Sequence, residues 1–76
     1  MKLGEYIRVN RKKLGITQSH LARKAGVHSS RFCIIEKGKV DAETLSFSSI
    51  LIIMDCLRIP MDKLMAEVDF SHSGGD

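Results

Sequence analysis

The chain has 76 residues, 43% of them apolar, with no Trp, one Tyr and three Phe. A single domain of this length buries only about 60–65% of its unfolded surface, so the core is small and aliphatic and leaves little room for an enzyme cleft. Net charge is +3 but segregated: residues 1–39 carry ten Lys/Arg against two acids, and residues 40–76 carry two bases against seven acids, so the first half calls for an anionic partner.

A first helix is expected from about Lys2 to Leu14, with Leu3, Ile7 and Leu14 on its inner face and Tyr6 beside them. Gly15 suits the left-handed position that ends a helix. Thr17 is a good N-cap for a second helix, Gln18 to Lys24, with Leu21, Ala22 and Ala25 inward. Gly26 permits a positive φ in the turn that follows. A third helix spans about Ser29 to Lys37. At 100° per residue, Phe32 and Ile35 point inward together with His28, while Ser30, Cys33, Ile34 and Lys37 point outward. Gly38 marks its stop.

Residues 39–46 read as a loop or a single turn, with Asp41 as a candidate cap. A fourth helix follows from about Phe47 to Leu57, its start falling at Ser46 or Ser48. Leu51, Met54 and Leu57 share its inner face, Ile50 and Ile53 extend it, and Ile52 lies on the far side. Pro60 ends the connector and suits a helix start. Met61 to Val68 makes a fifth helix that buries Met61, Leu64 and Met65. The domain is thus expected over residues 1–68, all-α with four or five helices, followed by a polar, frayed tail at 69–76.

Chemistry-bearing residues are sparse. Cys33 and Cys56 have no CxxC spacing and no His pair, so both are expected to be free thiols in a reducing cytoplasm. His20, His28 and His72 have no carboxylate or thiol at catalytic spacing. No enzymatic activity, cofactor or metal is expected. The N-terminus lacks the apolar segment of a signal peptide, and the longest apolar run, Ile50 to Met54, is far short of a membrane span.

The informative stretch is TQSHLARKAGVHSSRFCIIEKGK, residues 17–39. Counted from Gln18, the fourth, fifth, eighth, ninth, tenth, fifteenth and eighteenth positions are Leu21, Ala22, Ala25, Gly26, Val27, Phe32 and Ile35. Two helices that cross steeply need a small residue at closest approach, which Ala22 supplies. They need a turn residue free of Cβ strain, which Gly26 supplies, and apolar residues at the rest. This is the pattern of a helix-turn-helix, a unit that lays one helix in the major groove of DNA.

LGEYIRVNRKKLGITQSHLARKAGVHSSRFCIIEKGK resembles the Cro/repressor-type (XRE family) helix-turn-helix domains, and ILIIMDCLRIPMDKLM resembles their closing segment. Together they cover residues 3 to about 66. The resemblance implies a lambda-repressor-like helical fold and a role in binding double-stranded DNA. Gln18 matches the glutamine that, with free backbone N–H groups, holds a DNA phosphate at a helix N-terminus. His28, Ser29, Ser30 and Ile34 match positions that face base edges, and Arg31 lies within reach of either bases or backbone. Lys37 and Lys39 match a backbone-contacting segment. Arg11 and Glu36 match a recurrent structural ion pair.

The departures are informative. Ile34 stands where the family often has a long polar or basic residue, and Ser29 and Ser30 are short, degenerate readers. His28 replaces a serine and is left to cap the helix, pack inward or meet DNA. Ile52 is apolar where the family usually carries charge. With Met61, Met65 and Phe70 it suggests a dimer surface, unless a longer linker at residues 39–49 buries it.

The implied function is a sequence-specific transcriptional regulator, a homodimeric repressor of bacterial, phage or plasmid origin that inserts helix 29–37 into a palindromic operator. Antitoxins and restriction–modification controllers share this fold and size. A helical protein-interaction module without DNA binding is the alternative of a different class.

Overall fold

The structure, a computed structural model, describes residues 1–70. Five α-helices follow in order: α1 (Leu3–Lys13), α2 (Gln18–Ala25), α3 (Ser29–Glu36), α4 (Phe47–Leu57) and α5 (Met61–Glu67), with a 3-10 turn at Ala42–Thr44 before α4. There is no strand among the described residues. Every expected helix is present with ends within one residue of those read from the sequence, and residues 39–46 hold the single turn.

Local chemistry explains these ends. Thr17 accepts the His20 amide, and Ser46 accepts the Ser49 amide at 3.1 Å, which places the start of α4 at Ser46 rather than Ser48. Four helices end in the same way. The residue after the last turn turns left-handed, and two reverse hydrogen bonds close the end, as in Ile16 N–H to the Arg11 carbonyl and Gly15 N–H to that of Lys12. Gly15, Gly26 and Gly38 serve α1, α2 and α3, but α4 uses Arg58 at φ 59. Asp41 makes no side-chain cap.

Helix α2 packs against α3 and α4, and α1 packs against α3 and α4. Leu3, Ile7, Leu21, Phe32, Ile35 and Ile53 are the largest fully buried side chains. Ser49 Oγ donates to the Ala25 carbonyl at 2.8 Å and pins α4 to the end of α2. Gly4 lies against the carbonyl of Ile35, where an added Cβ would collide, so α1 and α3 approach backbone to backbone.

Several inward assignments are corrected. Leu14 is half exposed, because α1 ends at Lys13 and the chain turns away; the inner stripe of α1 is Leu3, Gly4, Tyr6, Ile7 and Arg11. Leu51 is exposed, and α4 buries Ile53, Met54 and Leu57 instead. Met61 and Met65 are exposed at 37% and 62%, because α5 presents only Leu64 to the core while Ile59 and Val68 bury its flanks. The start of the supposed tail is held. The Asp69 amide donates to the Met1 carbonyl at 2.8 Å, and Phe70 is half-buried against the core. The rest of the tail expected from the sequence, residues 71–76 with His72, lies outside the described residues.

Candidate nucleic-acid interface

The basic half of the chain meets solvent almost entirely. Lys2, Arg8, Lys12, Lys13, Arg23, Lys24, Arg31, Lys37 and Lys39 are all exposed. The exception is Arg11, which is buried and neutralised. Its Nε donates to Glu36 Oε2 at 2.8 Å, its Nη2 to Glu36 Oε1 at 3.0 Å and its Nη1 to the Ile16 carbonyl at 2.8 Å. One of the two acids of this half is thereby spent inside the fold, since Glu36 is only 4% exposed, whereas Glu5 is exposed.

Gln18 joins the same network. Its Nε2 donates to Glu36 Oε1 at 3.0 Å, so the side-chain nitrogen is already engaged. What α2 can offer an anion is its first-turn backbone. The amides of Gln18 and Ser19 precede the first intrahelical bond, whereas the amides of His20 and Leu21 are taken by the Thr17 hydroxyl and carbonyl. The spacing of Gln18 and Glu36 in sequence gives no hint of this bond, which shares its acceptor, Glu36 Oε1, with Arg11 Nη2.

Helix α3 presents Ser29, Ser30, Arg31, Ile34 and Lys37 to solvent, with Lys39 just past its end, and buries Phe32, Ile35 and Glu36. His28 occupies the N-cap position but makes no side-chain cap bond, and it is exposed. Its inward placement is therefore corrected: the N-cap residue lies half outside the helix, so the helical wheel does not set its direction. Cys33 is half-buried beside Ile34. Arg31 does not extend freely from the helix. Its Nη2 donates to Thr44 Oγ1 at 3.0 Å, and that hydroxyl donates to the Asp41 carbonyl at 2.7 Å.

The surface near this face is concave. An open hollow of about 460 Å³ lies between the start of α3, with His28, Ser30 and Arg31, and the start of α4, with Ser46 and Ser49. The larger hollow, about 610 Å³, sets Lys2, Arg8 and Lys37 against Glu5, Asp41, Glu43 and Asp69. Its mixed charge makes it the poorer seat for a polyanion.

Of the surface residues named for self-association, Ile52, Met61 and Met65 are exposed, and Phe47 adds a larger exposed group at 71%. Phe70 is the exception, being packed against the core. Cys33 and Cys56 are free thiols, and no cluster of three or more potential metal ligands occurs among the described residues. No helix among the described residues is long and apolar enough to cross a membrane. Comparison with known proteins gives no match, whether to a family model, to a curated protein or to a solved structure.

Proposed function

We propose that this chain is a sequence-specific, double-stranded DNA-binding transcriptional regulator in which α2 and α3 form a helix-turn-helix of the Cro/repressor (XRE) type. The observation that carries the reading is the coincidence of two patterns on one pair of helices. The scaffold positions Leu21, Ala22, Ala25, Phe32 and Ile35 are buried at 4% exposure or less, and Gly26 is left-handed at φ 72. The opposite side of α3 is solvent-facing and ends in Lys37 and Lys39.

In this reading α3 enters the major groove, and the α2 N-terminus, Lys37 and Lys39 hold phosphates. The protein acts by occupying an operator as a homodimer, with no catalytic step. Binding measured against salt tests this. Log affinity should fall with log salt with a slope of about −0.9 for each phosphate neutralised. A flat response would sink the proposal.

A protein-docking module is the second reading, favoured by the exposed Phe47, Leu51 and Ile52 of α4. An antitoxin would combine the two. Co-purification of a partner chain together with a flat salt response would select the docking module.

A further inference from the structure

We infer that Ile34 reads a thymine methyl, so that the half-site is specified chiefly by a methyl-bearing base opposite the middle of α3. The inference rests on the proposed function and names the chemistry of its partner. At 100° per residue, Ser30, Ile34 and Lys37 fall on one outward line, and Phe32 and Ile35 fall on the buried side. Ile34 is 38% exposed at the centre of that line. An apolar group held there meets water unless a ligand covers it.

On this face the side chain that can make a paired hydrogen bond to a base is Lys37, at the C-cap one turn beyond Ile34. Ser29 and Ser30 carry single hydroxyls that donate or accept alike, and Cys33 is a weak donor. The forked donor of α3 is Arg31, and it is tied through Thr44 to the 3-10 turn, to one side of the outward line. Paired readout of guanine or adenine at the middle of the helix would require Arg31 to leave Thr44. The apolar feature that base edges offer in the major groove is the C5 methyl of thymine, and Ile34, with Cys33 beside it, matches that feature. Lys37, one turn on, can reach a phosphate or a guanine edge but offers no apolar contact to a methyl.

The test uses the full chain and duplexes selected by it from a random pool. Thymine should dominate one position of each half-site. Replacing that thymine by deoxyuridine removes the methyl and leaves the hydrogen-bonding edge unchanged. Affinity should then fall about fourfold per methyl lost. Ile34→Ala shortens the contact, so the preference for the thymine over the deoxyuridine duplex should shrink, with an unchanged salt slope. Equal binding of the two duplexes by the wild-type chain overturns the inference while the DNA-binding reading stands. So does a thymine preference that is undiminished in Ile34→Ala. A chain that retains no duplex at all overturns both.

Discussion

Arg58 is held at φ 59 by the reverse hydrogen bonds that close α4, Arg58 N–H to the Asp55 carbonyl and Ile59 N–H to that of Met54. A side chain in the left-handed region costs about 1–2 kcal/mol, which glycine avoids. Glycine also loosens the unfolded chain by about 0.4–1 kcal/mol, so Arg58→Gly should stabilise the fold by about 0.5–1 kcal/mol. A higher melting temperature checks it; a lower one would show that the Arg58 side chain contributes more than its strain. Gly4 predicts the opposite. By helix propensity alone Gly4→Ala would gain about 1 kcal/mol. The new methyl would meet the Ile35 carbonyl, which is backbone and cannot step aside. Overpacking of this kind costs about 1–3 kcal/mol, so the melting temperature should fall.

Between elements, polar contacts hold what apolar packing leaves unspecified. The Arg11–Glu36 pair joins α1 to the end of α3 and, through Gln18, to the start of α2. Arg11→Ala strands a buried carboxylate with one neutral partner, and breaking a buried pair in this way costs about 3–5 kcal/mol. That is a large part of the about 4–11 kcal/mol expected for the whole domain. Arg11→Lys keeps the charge but loses the paired geometry, so its urea midpoint should fall between those of Arg11→Ala and the wild type.

Tyr6 joins α1 to α5, its hydroxyl donating to Glu67 Oε1 at 2.7 Å. Burial, the bond to Glu67 and the negative charge of Glu67 push its pKa up from 10.0 to about 12. The neutral phenol is the form the fold favours. Its contribution is therefore complete below pH 10 and is lost as pH rises from 10 toward about 12. The chain has one tyrosine, so tyrosinate absorbance follows this group alone. A midpoint near 10 would show the contact to be open in solution.

These elements were legible in the sequence because their ends are marked by residues that act locally: Thr17, Gly15, Gly26, Gly38 and Pro60. The Arg11–Glu36 pair was reached through the resemblance. The directions of Leu14 and His28 were not legible, since each lies just outside its own helix, and those of Leu51, Met61 and Met65 depend on how much of each helix its neighbours cover. Nor was the bond from Gln18 to Glu36, which needs three elements in place at once. Arg58 carried no signal either, because its side chain is not the usual one for the conformation it adopts.

At the scale of the molecule, the proposed function gives the exposed apolar residues a task, since one small domain would need help to achieve specificity. A single α3 spans only a few base pairs, whereas a two-fold dimer sets two such helices about one DNA turn, roughly 34 Å, apart. Met61 and Met65 lie one turn apart on the outer side of α5, at 37% and 62% exposure, and Ile52 on α4 is 41% exposed. Two copies that met through these residues would remove apolar surface from water while the basic half stayed free for DNA. Met65→Asp places a charge on that surface and touches neither the core nor α3. Sedimentation equilibrium should show a dimer for the wild-type chain and a shift toward monomer for the variant, with an unchanged melting profile at dilute monomer concentration. DNA binding should separate in the same way. Affinity for a site with two half-sites should fall sharply in the variant, and affinity for an isolated half-site should not change, because the gain from linking two binding events is lost without any contact to DNA being altered. A wild-type chain that stays monomeric would refute the dimer, a variant that stays dimeric would place its contacts elsewhere, and a variant that loses half-site affinity would make the apolar residues of α5 part of the DNA-binding surface itself.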